Sequence, residues 1–153
     1  MATITEDYVS FETAKLLKEK GFNIPCDNYY DSSGKTPNES VYGGANIETL
    51  DYNADPFVKS GFPKFKTFSV PTQAMAMKWL REVHKLVIVV SICNENNKGN
   101  TDYSNPDRWF YFFDITNAKG VVIDTEYDPL SNEFPTYEQA CEAAIKYCLV
   151  NLI

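Results

Sequence analysis

Residues 72–93 read TQAMAMKWLREVHKLVIVVSIC, and the change of period inside this stretch decides the fold class. Ala76, Trp79, Leu80 and Val83 recur at the steps of an amphipathic helix, with Lys78, Arg81, Glu82 and Lys85 mostly opposite. Thr72 stands where an N-cap belongs, so the spacing predicts a helix over about 73–84. From Leu86 to Cys93 the helical step gives way to a continuous apolar, largely β-branched run, the pattern of a strand buried on both faces. A helix feeding straight into a strand points to an α+β domain.

Downstream, residues 94–107 are polar and read as a loop, followed by strands over about 109–115 and 121–127. Asn117-Ala118-Lys119-Gly120 joins them, with Gly120 in the left-handed position. Pro135 and the Thr136-x-x-Gln139 box announce a last helix over about 137–151. Its stripe of Tyr137, Ala140, Cys141, Ala144, Ile145, Cys148, Leu149 and Leu152 requires apolar partners. Upstream, Ser10 caps a helix over about 11–20, with Val9 and Ala14 as a hydrophobic staple. Gly21 stands at C′ and Phe22 at C″, over Leu17. Between the first two helices, residues 23–70 are rich in Asn, Asp, Ser, Gly, Pro and Tyr and hold no period for long. A structureless connection of that length is rare, so short strands are expected at 47–52 and 65–70. The order predicts a single domain over 1–153: a three-stranded antiparallel meander covered by two to three helices, with a long irregular region between the first and second.

At 153 residues and 44% hydrophobic, the chain has the material for one such core without a staple. Cys26, Cys93, Cys141 and Cys148 form no C-x-x-C pair, and Cys141 and Cys148, seven apart on one helix, stand ~10 Å apart, too far for a disulfide. All four read as thiols of a reducing compartment. Residues 1–7 have neither a basic start nor an apolar core, and no long apolar run follows, so neither export nor membrane insertion is expected. The sequon Asn38-Glu39-Ser40 carries no weight without a secretion signal. A net charge of −7 disfavours nucleic acid.

The stretch Ser10 to Phe22, SFETAKLLKEKGF, resembles the opening of a group of small proteins from gut Bacteroidetes bacteria and their phages or prophages. Pro71-Thr72-Gln73 with the KWLREVH of residues 78–84 is similar to the same group, as is Pro135-Thr136-Tyr137-Glu138-Gln139-Ala140 with Ala144. The matching segments are helix caps and core stripes, so they speak for fold rather than chemistry. What the resemblance implies is a phage or mobile-element origin, with a setting in host cytoplasm or virion. It assigns no site residue.

The search for chemistry finds weak signals. His84 ends a helix with no partner at triad or metal spacing, and serves equally as a helix-terminal cation. Cys26 is the one cysteine expected to be accessible, yet Asp27 beside it would raise its thiol pKa, so it makes a poor nucleophile. Residues 94–99 look like a calcium loop, but Lys98 occupies a ligand position, Asn105 replaces the bidentate glutamate, and strands flank it. Asp124, Glu126 and Asp128 alternate along a strand, as a solvated sheet face does. Lys59, Lys64 and Lys66 interleave with Phe57, Phe62, Phe65 and Phe68, which could stack bases or simply anchor a loop. The first helix has no recognition helix after it, because Pro25 and a Tyr- and Asp-rich segment follow. Tyr29, Tyr30, Tyr42 and Tyr52, among small polar residues, have the composition of a recognition surface, and equally that of a loop pinned to a core.

The expectation is therefore a non-enzymatic protein that binds another protein through residues 23–70, with no cofactor and no metal. A self-assembling virion or accessory subunit, an acidic modulator of a host enzyme and a small hydrolase on Asp124 and Glu126 are the alternatives.

Overall fold

The computed structural model describes residues 5–34, 38–39, 50–56, 61, 66–94, 109–123 and 133–153. The chain forms two compact units, residues 1–76 with Ile153 and residues 77–152. Among the described residues the sheets are two and separate. The first unit carries an antiparallel sheet of order β2-β1-β3, from Asn28–Asp31 (β1), Asn38–Glu39 (β2) and Thr67–Val70 (β3). The second carries an antiparallel pair, Leu86–Asn94 (β4) with Trp109–Asn117 (β5). The α+β class holds, but a single three-stranded meander does not: it missed β1, whose Asn-Tyr-Tyr-Asp sequence carries no aliphatic alternation.

Helix α1, Phe11–Glu19, has the ends its sequence prescribes. Ser10 Oγ accepts from Thr13 N, and Val9 and Ala14 are buried on either side of the cap. At the other end Gly21 takes φ +85°, a value costly for any residue with a Cβ. Phe22 N then donates to Leu17 O at 2.9 Å and Gly21 N to Lys18 O at 3.2 Å, which closes a Schellman motif over the buried pair Phe22 and Leu17. The helix packs on β3, with the Phe11 ring edge-on to Tyr30 and Phe68.

A single 3₁₀ turn, Tyr52–Ala54, ties this unit together. Asn53 Oδ1 accepts from Ser69 N at 2.9 Å, Asn53 Nδ2 donates to Phe22 O at 2.8 Å, and Thr67 Oγ1 donates to Tyr52 O at 2.8 Å. The strand expected at 47–52 appears among the described residues only as the bridge of Leu50 with Cys26, residues 47–49 lying outside them. Of 65–70, the strand occupies Thr67–Val70.

Helix α2, Gln73–His84, begins at Thr72, whose Oγ1 accepts from Met75 N at 3.2 Å, and the division between the units falls inside it. Ala76, Trp79 and Leu80 are buried as the periodicity predicts, but Val83 is 56% exposed, so the buried stripe ends one turn early. Lys85 adopts a left-handed φ of +62°, which lets the chain pass from helix to strand without a loop.

In the second unit, helix α3, Tyr137–Tyr147, packs on β4 and β5 and runs into a π-helical turn, Cys148–Leu152. Thr136 Oγ1 accepts from Gln139 N at its start. Ala140, Cys141, Ala144, Ile145, Cys148 and Leu149 are buried, while Tyr137 is 47% exposed. The rings of Tyr111 and Phe113 meet those of Tyr137 and Tyr147, so the helix lies on the face of β5 that carries its odd-numbered residues. Burial of β4 on both faces is not what forms: Leu86 and Ile88 are buried, yet Val89 is 41% and Ile92 54% exposed. A run of β-branched residues reports strand propensity as much as two-sided cover, and here one helix layer sits on a pair of strands. The turn at 117–120 forms as expected, with Gly120 N donating to Asn117 O. The third strand of the expected meander is represented by the bridge of Thr116 with Val122; residues 124–127 lie outside the described ones.

Asn53→Ala removes both amide bonds and leaves Ser69 N and Phe22 O to find other partners, a loss of about 2 kcal/mol. Urea unfolding should show that loss in the first unit; a change within ~0.5 kcal/mol would mean the turn does not hold it together.

Candidate functional site

Lys15, Lys18 and Glu19 lie three and four residues apart, so they share the face of α1 adjoining its buried Ala14 and Leu17. Opposite them stand Asp55, Lys66 and Phe68, and together the six line an open cleft of about 480 Å³. Its back wall is fixed by one ion pair. Lys18 Nζ donates to Asp55 Oδ1 at 2.6 Å and to Thr67 O at 3.0 Å, and sits 5.1 Å from the centre of the Phe68 ring. Asp55 is presented for this by a left-handed φ of +51° after the 3₁₀ turn, and its Oδ1 also accepts from Thr67 N. With side chains 22% and 32% exposed, the pair is half-sheltered and its charges largely cancel.

Lys15 and Lys66 remain as the cations facing the opening, against Glu19. Lys15 Nζ lies 4.8 Å over the Phe11 ring, which steadies the ammonium without neutralising it. Lys66 and Glu19 are exposed. On a chain of net charge −7, this leaves a local positive excess beside an apolar floor. Such an arrangement can hold an anionic group, carboxylate or phosphate, carried on a partly apolar ligand.

The tyrosines singled out by composition sit elsewhere. Tyr52 is fully buried and Tyr30 is 8% exposed, with its Oη donating to Val9 O at 3.4 Å. Tyr29 is half-buried and stacks on Tyr52 at 4.6 Å. Tyr29 and Tyr30 belong to strand β1, and Tyr30 and Tyr52 spend their rings on the core of the unit, so neither of those two presents the exposed ring that a recognition surface requires. Tyr42 lies outside the described residues.

Cys26 is also interior, 2% exposed, which overturns its expected accessibility. Burial foremost, then the charges of Asp27 and Asp51, pushes its thiol up to about 12. Burial takes Cys148 to about 12 as well. All four cysteines are free thiols, and Cys93 is half-buried. The His84 ring stands edge-on to Trp79 at 4.6 Å, an aromatic contact within one helix. Among the described residues no group of three His, Cys, Asp or Glu could hold a metal ion, and no helix is long and apolar enough to cross a membrane. Residues 95–99 of the calcium-like loop, Asp124, Glu126 and Asp128, and Lys59, Lys64, Phe57, Phe62 and Phe65 lie outside the described residues.

Of the basic and aromatic interleaving, Lys66 and Phe68 reach the cleft, while Lys15, Lys18, Glu19 and Asp55 were not foreseen. The helical spacing of Lys15 and Lys18 was a visible signal; the arrival of Asp55 opposite them was not. No family model, no curated protein sequence and no solved structure matches the chain.

The two raised thiols fix an alkaline limit. Below the ordinary thiol value of 9.0 both states hold these protons and stability does not depend on them; from there to about 12 the unfolded chain releases protons the folded chain keeps, so stability falls as pH rises. Urea unfolding of Cys26→Ser and Cys148→Ala should show a flatter alkaline decline than the parent. An unchanged decline would remove burial of these thiols as its cause.

Proposed function

We propose that this chain is a non-enzymatic protein-binding protein, of phage or mobile-element origin, whose partner presents an acidic segment to the cleft of Lys15, Lys18 and Lys66. The observation that carries the reading is the positive excess at that opening on an otherwise acidic chain. Long-range repulsion by the rest of the surface discourages polyanions, whereas a short acidic segment meets mainly the local field. Phe68, covered on one side by Lys18 and edge-on to Phe11, offers an apolar surface rather than a free ring for stacking a base. Asp55, Lys66 and Phe68 belong to the 23–70 region in which binding was expected, with α1 supplying the remaining wall. The origin, and a setting in host cytoplasm or virion, draw on the resemblance of the three helical segments.

The test is fluorescence anisotropy with labelled Glu- and Phe-containing peptides, matched Lys-containing peptides and a single-stranded oligonucleotide. The acidic peptides should bind, weaken with salt, and lose roughly tenfold or more in affinity on the double change Lys15→Glu and Lys66→Glu. Tighter binding of the oligonucleotide, or acidic-peptide affinity indifferent to the double change, would refute the reading.

A further inference from the structure

The direction of the hydrogen bonds along β5 shows which backbone groups of β4 turn away from β5. Tyr111 N donates to Phe134 O, Asn117 N to Val121 O, and Ile123 N to Ile115 O, so the odd-numbered residues of β5 turn their backbone groups away from β4. Their register partners are Ile92, Leu86 and Ile88, with Val90 opposite Phe113. In an antiparallel pair both members of such a couple point outward, so these even-numbered residues of β4 direct their N–H and C=O groups to its far side. Among the described residues no strand pairs there.

This edge is nine residues long and reads LVIVVSICN. It contains no proline, no charge and no glycine, the devices by which edge strands avoid pairing. Its central residue is Val90, one of the outward-directed even-numbered residues. A second copy related by a two-fold axis through Val90 would pair the whole strand: Val90 against Val90, Ile88 against Ile92, Leu86 against Asn94. Each amide of that set then meets a carbonyl, and the exposed Ile92 gains an apolar neighbour in the Ile88 of the other copy. The same reversal keeps the even-numbered side chains of both strands on one face. An unrelated peptide satisfies the backbone equally, but only an uncharged, β-branched one matches the side chains on both faces, and this strand is itself such a partner.

We propose that β4 pairs antiparallel with β4 of a second copy of this chain, joining two two-stranded sheets into one of four strands. The inference does not rest on the cleft. Sedimentation equilibrium of the full chain at rising concentration should give a reversible monomer–dimer equilibrium. Val90→Pro removes an outward N–H and no bond to β5, and Ile92→Lys puts a charge on the exposed end of the edge; each should weaken the dimer at least tenfold, while Lys15→Glu leaves it unchanged. Circular dichroism checks that the variants fold, and if Val90→Pro does not, Ile92→Lys decides. A parent that stays monomeric at high micromolar concentration, or a dimer as tight in folded variants, overturns the proposal.

Discussion

The side-chain amide of Asn53 is the contact on which the first unit depends. It addresses both layers, taking the Ser69 N–H from the strand and donating to the Phe22 carbonyl just beyond the helix. Those two backbone groups belong to segments far apart in sequence. The amide accepts through Oδ1 and donates through Nδ2, so an aspartate, an acceptor only, could serve the strand but not the Phe22 carbonyl, and a leucine could serve neither. The turn that carries Asn53 is short, and Asp51 Oδ1 accepts from the backbone N of Asn53 at 3.0 Å, so the bond geometry is set locally before the layers meet.

The cleft inherits its shape from the same turn. Two residues after Asn53, the chain swings through the left-handed conformation of Asp55, and that swing delivers a carboxylate to Lys18. A charge pair so placed costs helix and strand little, because each partner keeps part of its surface in water while its remaining hydrogen bonds are met by Thr67. With Lys18 engaged, the character of the opening passes to Lys15 and Lys66.

What the sequence made legible were features whose cause is local. Ser10, Gly21, Thr72 and Thr136 mark helix ends because capping needs only neighbouring backbone groups, and all four act where their pattern says. The β-branched run of β4 and the Asn117 to Gly120 turn are local in the same sense. The pairing of β1 with β3 is not: Tyr29 finds Ser69 and Tyr30 finds Phe68 across nearly forty residues, and nothing in Asn-Tyr-Tyr-Asp says so. Tyrosine is ambiguous for a related reason, since its ring suits a core and its hydroxyl suits a surface, and only the fold decides between them. Of the six cleft residues, Lys66 and Phe68 were visible in a basic and aromatic segment. The other four needed the knowledge that α1 and Asp55 come together, which is a tertiary fact.

The central claim, that the Tyr52–Ala54 turn joins helix and sheet of the first unit into one cooperative body, is tested most directly by native-state amide hydrogen exchange read by NMR. The account predicts that the amides of Phe22, Thr67 and Ser69, held by Leu17 O, Asp55 Oδ1 and Asn53 Oδ1 in turn, exchange with the same opening free energy and the same denaturant dependence, because helix end, turn and strand open as one body. If Ser69 exchanges through a small local opening while Phe22 remains protected to the level of global unfolding, the two layers separate independently and the claim is wrong.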